Sequence, residues 1–507
     1  MFAKVKCFGL SGIEGFEVTV EADIHASLPR IDIVGLPDTS IKEAKERVTS
    51  AIKNSGYFCP ARKITVNLAP ADTKKEGPLF DLGMALAILA AYEHVPATVL
   101  ASSEIVFVGE LSLDGVLRPV RGILPILISA VNKGCKRFIV PKENADEAAY
   151  ITDAEVYALK SLNDVVRFLN APHEYKRVPP RSFEGTERKK YKEDFKYIRG
   201  QAFARRAMEI AAAGSHNILL VGPPGSGKTM LAKCLPTILP DLTRDEAMET
   251  TKIHSIAGLL PSGEGIVSVR PFRAPHHTAS QVAVTGGGTR AMPGEISLAH
   301  NGVLFLDELP EYPRLVLEVL RQPLENKSIL VSRAARTVTY PADFMLVSGM
   351  NPCPCGNAGS SVKQCTCSPI QVSKYLSRLS GPLLDRIDMH IEVDNVTYED
   401  IKGEESENSE SIRVRVNRAR EVQSARYIKH GVTHNANMDS EMLAEFCALD
   451  EKSETLLKKA FDKLGLSVRA YTRVLKVART IADLAGEDKI QFNHVSEALS
   501  YRCMDRK

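Results

Sequence analysis

The segment Gly222-Pro-Pro-Gly-Ser-Gly-Lys228-Thr229 leaves this chain few folds to choose from. It follows the apolar run Ile218–Val221 and precedes the helical stretch 230–235, so the sequence reads strand, tight glycine-rich loop, helix. In that setting Gly222, Pro223, Pro224, Gly225, Ser226 and Gly227 can turn successive backbone N–H groups inward around a polyphosphate. Lys228 can reach the terminal phosphates, and the Thr229 hydroxyl can ligate Mg²⁺. The implied cofactors are ATP and Mg²⁺.

A partner element lies downstream. The short apolar strand ending at Leu306 delivers Asp307 and Glu308 to its C-terminal end, the arrangement of a Walker B site. Asp307 is suited to hold the Mg²⁺ shell and Glu308 to orient and deprotonate an attacking water.

At 507 residues the chain exceeds what one hydrophobic core usually supports, and a net charge of +3 declares no polyanionic partner by itself. The first residues lack a signal-peptide core and no apolar run approaches membrane-spanning length, so the expected location is cytoplasmic, with no membrane partner. Residues 1–170 alternate strand-like and helical runs. A Pro- and charge-rich linker follows over 171–196, then an α/β nucleotide module over 197–396, an acidic Ser-rich linker over 397–411, and helical periodicity over 412–507.

Several further motifs carry a family resemblance: Arg270-Pro-Phe-Arg-Ala-Pro-His-His-Thr278, Gly286-Gly-Gly288, Pro293-Gly-Glu-Ile-Ser-Leu-Ala-His300 and Gly381-Pro-Leu-Leu-Asp-Arg-Ile-Asp388. With the phosphate loop and Walker B strand they resemble the magnesium-chelatase-like AAA+ ATPases. The N-terminal third resembles the Lon-protease-type, ribosomal-S5-like domain that the ComM/YifB branch carries ahead of its ATPase. The resemblance implies an α/β fold: an AAA+ P-loop core between that domain and a C-terminal helical lid. It also implies a homo-hexameric DNA helicase acting on single-stranded or branched DNA, with branch migration during the recombination of incoming strands as its task and recombination proteins as candidate partners.

Site roles follow from the same resemblance. Asn351 resembles sensor 1, which places the lytic water, with a turn-forming Asn as the alternative. Arg386 resembles an arginine finger supplied to a neighbouring subunit, with a surface salt bridge to Asp385 or Asp388 as the alternative. Arg469 resembles sensor 2, with Arg473 one turn later as the competing choice. The stretch between Leu235 and Gly302 matches the family's helix-2 insert. Residues 329–340, two alternating runs around Arg333 and Arg336, match its hairpin before sensor 1, where those arginines would grip phosphates. Ordinary surface arginines are the alternative there.

Cys353, Cys355, Cys365 and Cys367 form a tight cluster among ten cysteines. Four thiolates suit a closed structural Zn²⁺ site and leave no open position for catalysis; C-x-C is a less typical spacing than C-x₂-C, and unliganded thiols remain the alternative. His276 and His277 are read as a structural or DNA-facing pair, since adjacent side chains in an extended segment point apart. Three rival functions make different demands on the chain. A protease needs a Ser–Lys dyad, but the matching positions carry Leu79 and Leu124. A metal-inserting chelatase subunit would typically lack the N-terminal domain, and a protein-remodelling ATPase is not separable from a DNA motor by pore-loop residues.

Overall fold

The computed structural model describes every residue except 101, 103, 184–190, 262, 334–335, 360–362, 404 and 507, and the side chains of 333, 336, 401 and 506. The chain divides into two compact units: Met1–Gly185 with Thr243–Ser268, and Thr186–Leu242 with Val269–Lys507.

The first unit is built on a four-stranded sheet in the spatial order Phe2–Ser11, Glu14–His25, Lys63–Ala69, Arg30–Val34. The first two strands pair antiparallel from Phe2↔Asp23 to Ser11↔Glu14, and the last two pair parallel. Val18, Val20, Ala22 and Ile24 alternate inward along the second strand, as a half-buried sheet requires. Against it lies the helix Asp81–Ala91, apolar all round and buried at every position. Its one charge, Asp81, is held by Arg47 at 2.9 and 3.1 Å, and burial raises this carboxyl to about 6. Leu79 and Leu124 are both buried, so the positions that would bear a protease dyad are filled by packing.

The segment Thr243–Ser268, which sequence order places inside the nucleotide module, packs with this first unit. Its helix Arg244–Ala257 opens on a capping box between Thr243 and Glu246 and closes on left-handed Gly258. Ser255 O accepts from Gly122 N–H at 3.2 Å, and Met248 joins the N-terminal core. Gly265 passes so close to Asp146 that a Cβ would lie 1.9 Å from its carbonyl oxygen. The buried Glu147 accepts from Leu124 N–H at 3.0 Å, and burial raises its carboxyl to about 7.

The second unit centres on a five-stranded parallel sheet in the order Phe272–Arg273, Val303–Leu306, Met345–Met350, Ile218–Val221, Met389–Glu392. Ile218–Val221 and Val303–Leu306 are buried throughout, the pattern of parallel strands covered on both faces. The hairpin Ser328–Arg333/Arg336–Pro341 runs in register from Ser328↔Pro341 to Arg333↔Arg336, with Ile329, Val331, Val338 and Tyr340 facing inward.

The C-terminal helices Ser409–Arg426, Ser440–Phe446, Glu451–Leu464, Val468–Ala485 and Phe492–Ser500 form a bundle. Its polar centre is Asp483, which receives Arg426 at 2.6 Å, Arg479 at 3.0 Å and Asn435 at 2.8 Å. Both segments read as linkers end in ordered structure. Phe195 is fully buried, and Asp194 accepts from Ser409 N–H at 2.9 Å, so the bundle's first helix begins at Ser409, inside the stretch read as acidic linker.

Candidate nucleotide site and cysteine cluster

Three strands of the parallel sheet end side by side, with Val221 paired to Met350 and Leu306 to Ser348. Their C-terminal ends therefore present the phosphate loop, Asp307 and Asn351 along one edge, where ligands of open α/β sheets bind. The loop's geometry depends on glycine. A Cβ on Gly222 would lie 2.2 Å from Val393 O, and Gly225 and Gly227 adopt φ of 80° and 85°. Lys228 follows directly as the first residue of the helix Lys228–Cys234, whose N-terminus faces the loop.

The polar groups converge. Lys228 Nζ donates to Gly222 O at 2.7 Å, Pro223 O at 2.8 Å and Asn351 Oδ1 at 3.4 Å, and burial lowers the pKa of its ammonium against the pull of Asp307 and Glu308. Thr229 Oγ1 donates to Asp307 Oδ2 at 2.7 Å, so the two oxygen ligands suited to Mg²⁺ already face each other. The buried Ser226 hydroxyl has no partner among the described residues. A cation held on backbone carbonyls, an uncommitted hydroxyl and a glycine cradle fit a nucleotide triphosphate with Mg²⁺. The loop and Lys228 would hold the phosphates; Thr229 and Asp307 would hold the ion, which supplies charge neutralisation at the transferring phosphoryl group.

Glu308 occupies a left-handed turn, φ 52°, with its backbone N–H on Asp307 Oδ1 at 3.0 Å. Its carboxylate meets His277 Nδ1 at 3.2 Å. His276 and His277 do not point apart as an extended segment would require: their rings lie 4.1 Å apart, because the backbone turns here, with Ala279 N–H donating to His276 O at 2.9 Å. Tyr312 completes this wall, donating to Pro275 O at 2.5 Å with its ring 6.4 Å edge-on from His277. Gln201, from the N-terminus of the helix Ala202–Gly214, bridges Ser226 O and Asp394 O. Sequence reasoning missed Gln201, which carries no local pattern, and gave His277 of the motif Arg270–Thr278 no role beside Glu308, because that meeting is made by tertiary folding.

The arginines gather elsewhere. Arg386 is only 7% exposed and pairs with Glu325 at 2.5 Å, while Arg469, with 58% of its side chain exposed, meets the same carboxylate at 3.6 Å. Those guanidiniums hold Glu325 below the usual carboxylate range, Arg386 foremost. Arg473 is committed to the buried Asp388, which leaves Arg469 as the accessible one of the two. Arg386 and Arg469 thus meet each other on Glu325, apart from the groups gathered around Lys228. Arg333 and Arg336 close the hairpin by their backbone; their side chains lie outside the described residues.

Beyond Asn351 the chain enters the cysteine cluster. The four ligand sulfurs of Cys353, Cys355, Cys365 and Cys367 lie within 4.8 Å of one another. Backbone amides of Thr366 and Asn357 pull the Cys355 thiol down to about 5. All four are free thiols, so the set can hold a soft metal ion.

Residues 194–401 match the family described as magnesium chelatase, subunit ChlI; residues 20–144 match subunit ChlI of Mg-chelatase, and 406–502 its C-terminal family. The chain is 46% identical over 503 residues to the competence protein ComM of Haemophilus influenzae, covering 98% of this chain and 96% of that one. It is 45% identical over 499 residues to YifB of Escherichia coli, with the same coverage. A partial likeness, 28% over 138 residues, joins 27% of this chain to 24% of Lon protease 2 of Bacillus subtilis.

Proposed function

Because this chain belongs to the ComM/YifB-type magnesium-chelatase-like AAA+ proteins, we propose that it hydrolyses ATP to move on DNA, as a ring helicase that drives branch migration of recombination intermediates. The observation that carries this reading is the convergence of Lys228, Thr229, Asp307 and Asn351 on one sheet edge, in a chain 46% identical to a competence protein. Glu308 acts as the base toward water, and His277 fixes its carboxylate until nucleotide and water take its place. Six copies form the ring. In it Arg386 and Arg469 exchange Glu325 for the neighbouring subunit's phosphates, where added positive charge stabilises the transition state. The hairpin carrying Arg333 and Arg336 grips the DNA backbone, and the four cysteines hold a structural zinc. The protein works in the cytoplasm; among the described residues no helix is long and apolar enough to cross a membrane.

In the N-terminal unit Leu79 and Leu124 fill the positions where a Ser–Lys dyad would stand, and the unit serves as the docking body for the helix Arg244–Ala257. The test is ATP-dependent migration of a synthetic four-way junction. The account expects migration that stops with Lys228→Ala; ATP turnover without migration of junctions or displacement of forked strands would remove the DNA motor and leave a remodeller of protein partners or a chelatase-type motor.

A further inference from the structure

The cysteine cluster sits at the end of the strand Met345–Met350, one residue beyond Asn351-Pro352. Among the described residues of 351–368 only Cys353 and Gly356 are buried, so no apolar side chain holds this turn in shape. The sulfurs do the gathering instead. Cys353 lies 3.4 Å from Cys355 and 3.6 Å from Cys365, and Cys355 lies 3.6 Å from Cys365. These separations exceed a disulfide's ~2.05 Å. They approach the ~3.8 Å edge of a tetrahedron with ~2.3 Å metal–sulfur bonds. Backbone amides already point at the sulfurs: Cys355 N–H at Cys367 Sγ, 3.4 Å, and Ala358 N–H at Cys353 Sγ, 3.3 Å. Such donors offset the charge of metal-bound thiolates.

The same turn leans on the nucleotide pocket. Gly356 adopts φ 80° with its missing Cβ 2.5 Å from Pro224 Cδ, so the turn is pressed against the phosphate loop itself. The helix leaving the cluster, Pro369–Leu376, carries buried Tyr375 back to the backbone of Asn351. Asn351 in turn reaches Lys228 Nζ. The phosphate loop and Asn351 are therefore wedged by a segment in which, among the described residues, only Cys353 and Gly356 are buried.

We propose that these four thiolates bind one zinc ion in a closed tetrahedral site, and that its occupancy sets the grip of the phosphate loop on nucleotide by bracing Gly356 against Pro224 and Asn351 against Lys228. The coupling rests on the reading of Gly222–Thr229 as the nucleotide loop. Binding forms four metal–sulfur bonds and releases the thiol protons to solvent; no oxidant takes part.

The full-length protein is reconstituted with cobalt as probe, and metal content, the thiolate-to-cobalt charge-transfer and tetrahedral d–d absorption, and affinity for a fluorescent ATP analogue are read together. One tetrahedral cobalt per chain is expected. Stripping the metal should weaken nucleotide binding about tenfold, a change of ~1.4 kcal/mol, and zinc should restore it. Gly356→Ala should keep the cobalt spectrum and still lose nucleotide affinity, because the added methyl meets Pro224. Cys365→Ser, checked for folding by far-ultraviolet circular dichroism, should lose the tetrahedral spectrum; should that variant fail to fold, the stripped and zinc-restored wild type decides. Absence of a tetrahedral thiolate spectrum overturns the site, and equal nucleotide affinity with and without metal overturns the coupling. Turnover that ignores DNA in the metal-loaded protein would count against the DNA motor alone, so the two failures are distinguishable.

Discussion

Glu308 is held in a left-handed turn beside Asp307, with its carboxylate on His277. Glu308→Gln should lower ATP turnover by about 10²- to 10⁴-fold while nucleotide still binds, as measured by steady-state kinetics and a fluorescent analogue. A different carboxylate governs stability. Glu147 has its pKa raised from 4.5 to about 7 by burial, so the folded state favours its neutral form. Its contribution is present below about 4.5 and is lost as pH rises toward 7, where an ionised buried group must be tolerated. Glu147→Gln should remove up to roughly 3 kcal/mol of that decline, read as a smaller fall in melting temperature between pH 5 and 8 than in wild type; equal falls would count against it. Lys228, Thr229 and Asp307 stood out in sequence because each belongs to a consecutive strand–loop pattern, while Asn351, which the structure places against Lys228, was singled out only by the family resemblance. His277 beside Glu308, Gln201 across the loop and Glu325 under two arginines were not legible, since those meetings are made by tertiary folding and leave no local spacing.

Among the elements, parallel strands announced themselves as continuous apolar runs, and the bundle helices as three- and four-residue periodicity. What periodicity could not assign was the partner of a buried face. The helix Arg244–Ala257 lies between two nucleotide-module segments in sequence, yet its Met248 packs into the N-terminal core. The hairpin Ser328–Pro341 was legible by alternation, with Ile329 and Val331 inward, and its register pairs Arg333 with Arg336 at the closed end. Arg333→Ala or Arg336→Ala should weaken single-stranded DNA binding and reduce the slope of log affinity against log salt by about one for each phosphate no longer held; an unchanged slope would remove the hairpin from the DNA path. In the bundle, Asp483→Ala would leave Arg426 and Arg479 without their buried partner. Urea unfolding should show a loss of about 3–5 kcal/mol.

At the scale of the whole molecule, the chain passes from the second unit to the first at Leu242–Thr243 and returns at Ser268–Val269. The helix Lys228–Cys234 and the helix Arg244–Ala257 are thus close in sequence yet belong to different units. Relatives of matching length and the fit of the site to Mg²⁺ and nucleotide support ATP-driven work, with DNA as its proposed object. The most direct measurement is ATP turnover by the full-length protein with and without forked DNA at two salt concentrations, with Glu308→Gln as the hydrolysis-dead control. The account predicts turnover that DNA stimulates and salt suppresses, abolished in the variant; turnover indifferent to DNA, with no DNA binding by the ATP-loaded variant, would contradict it.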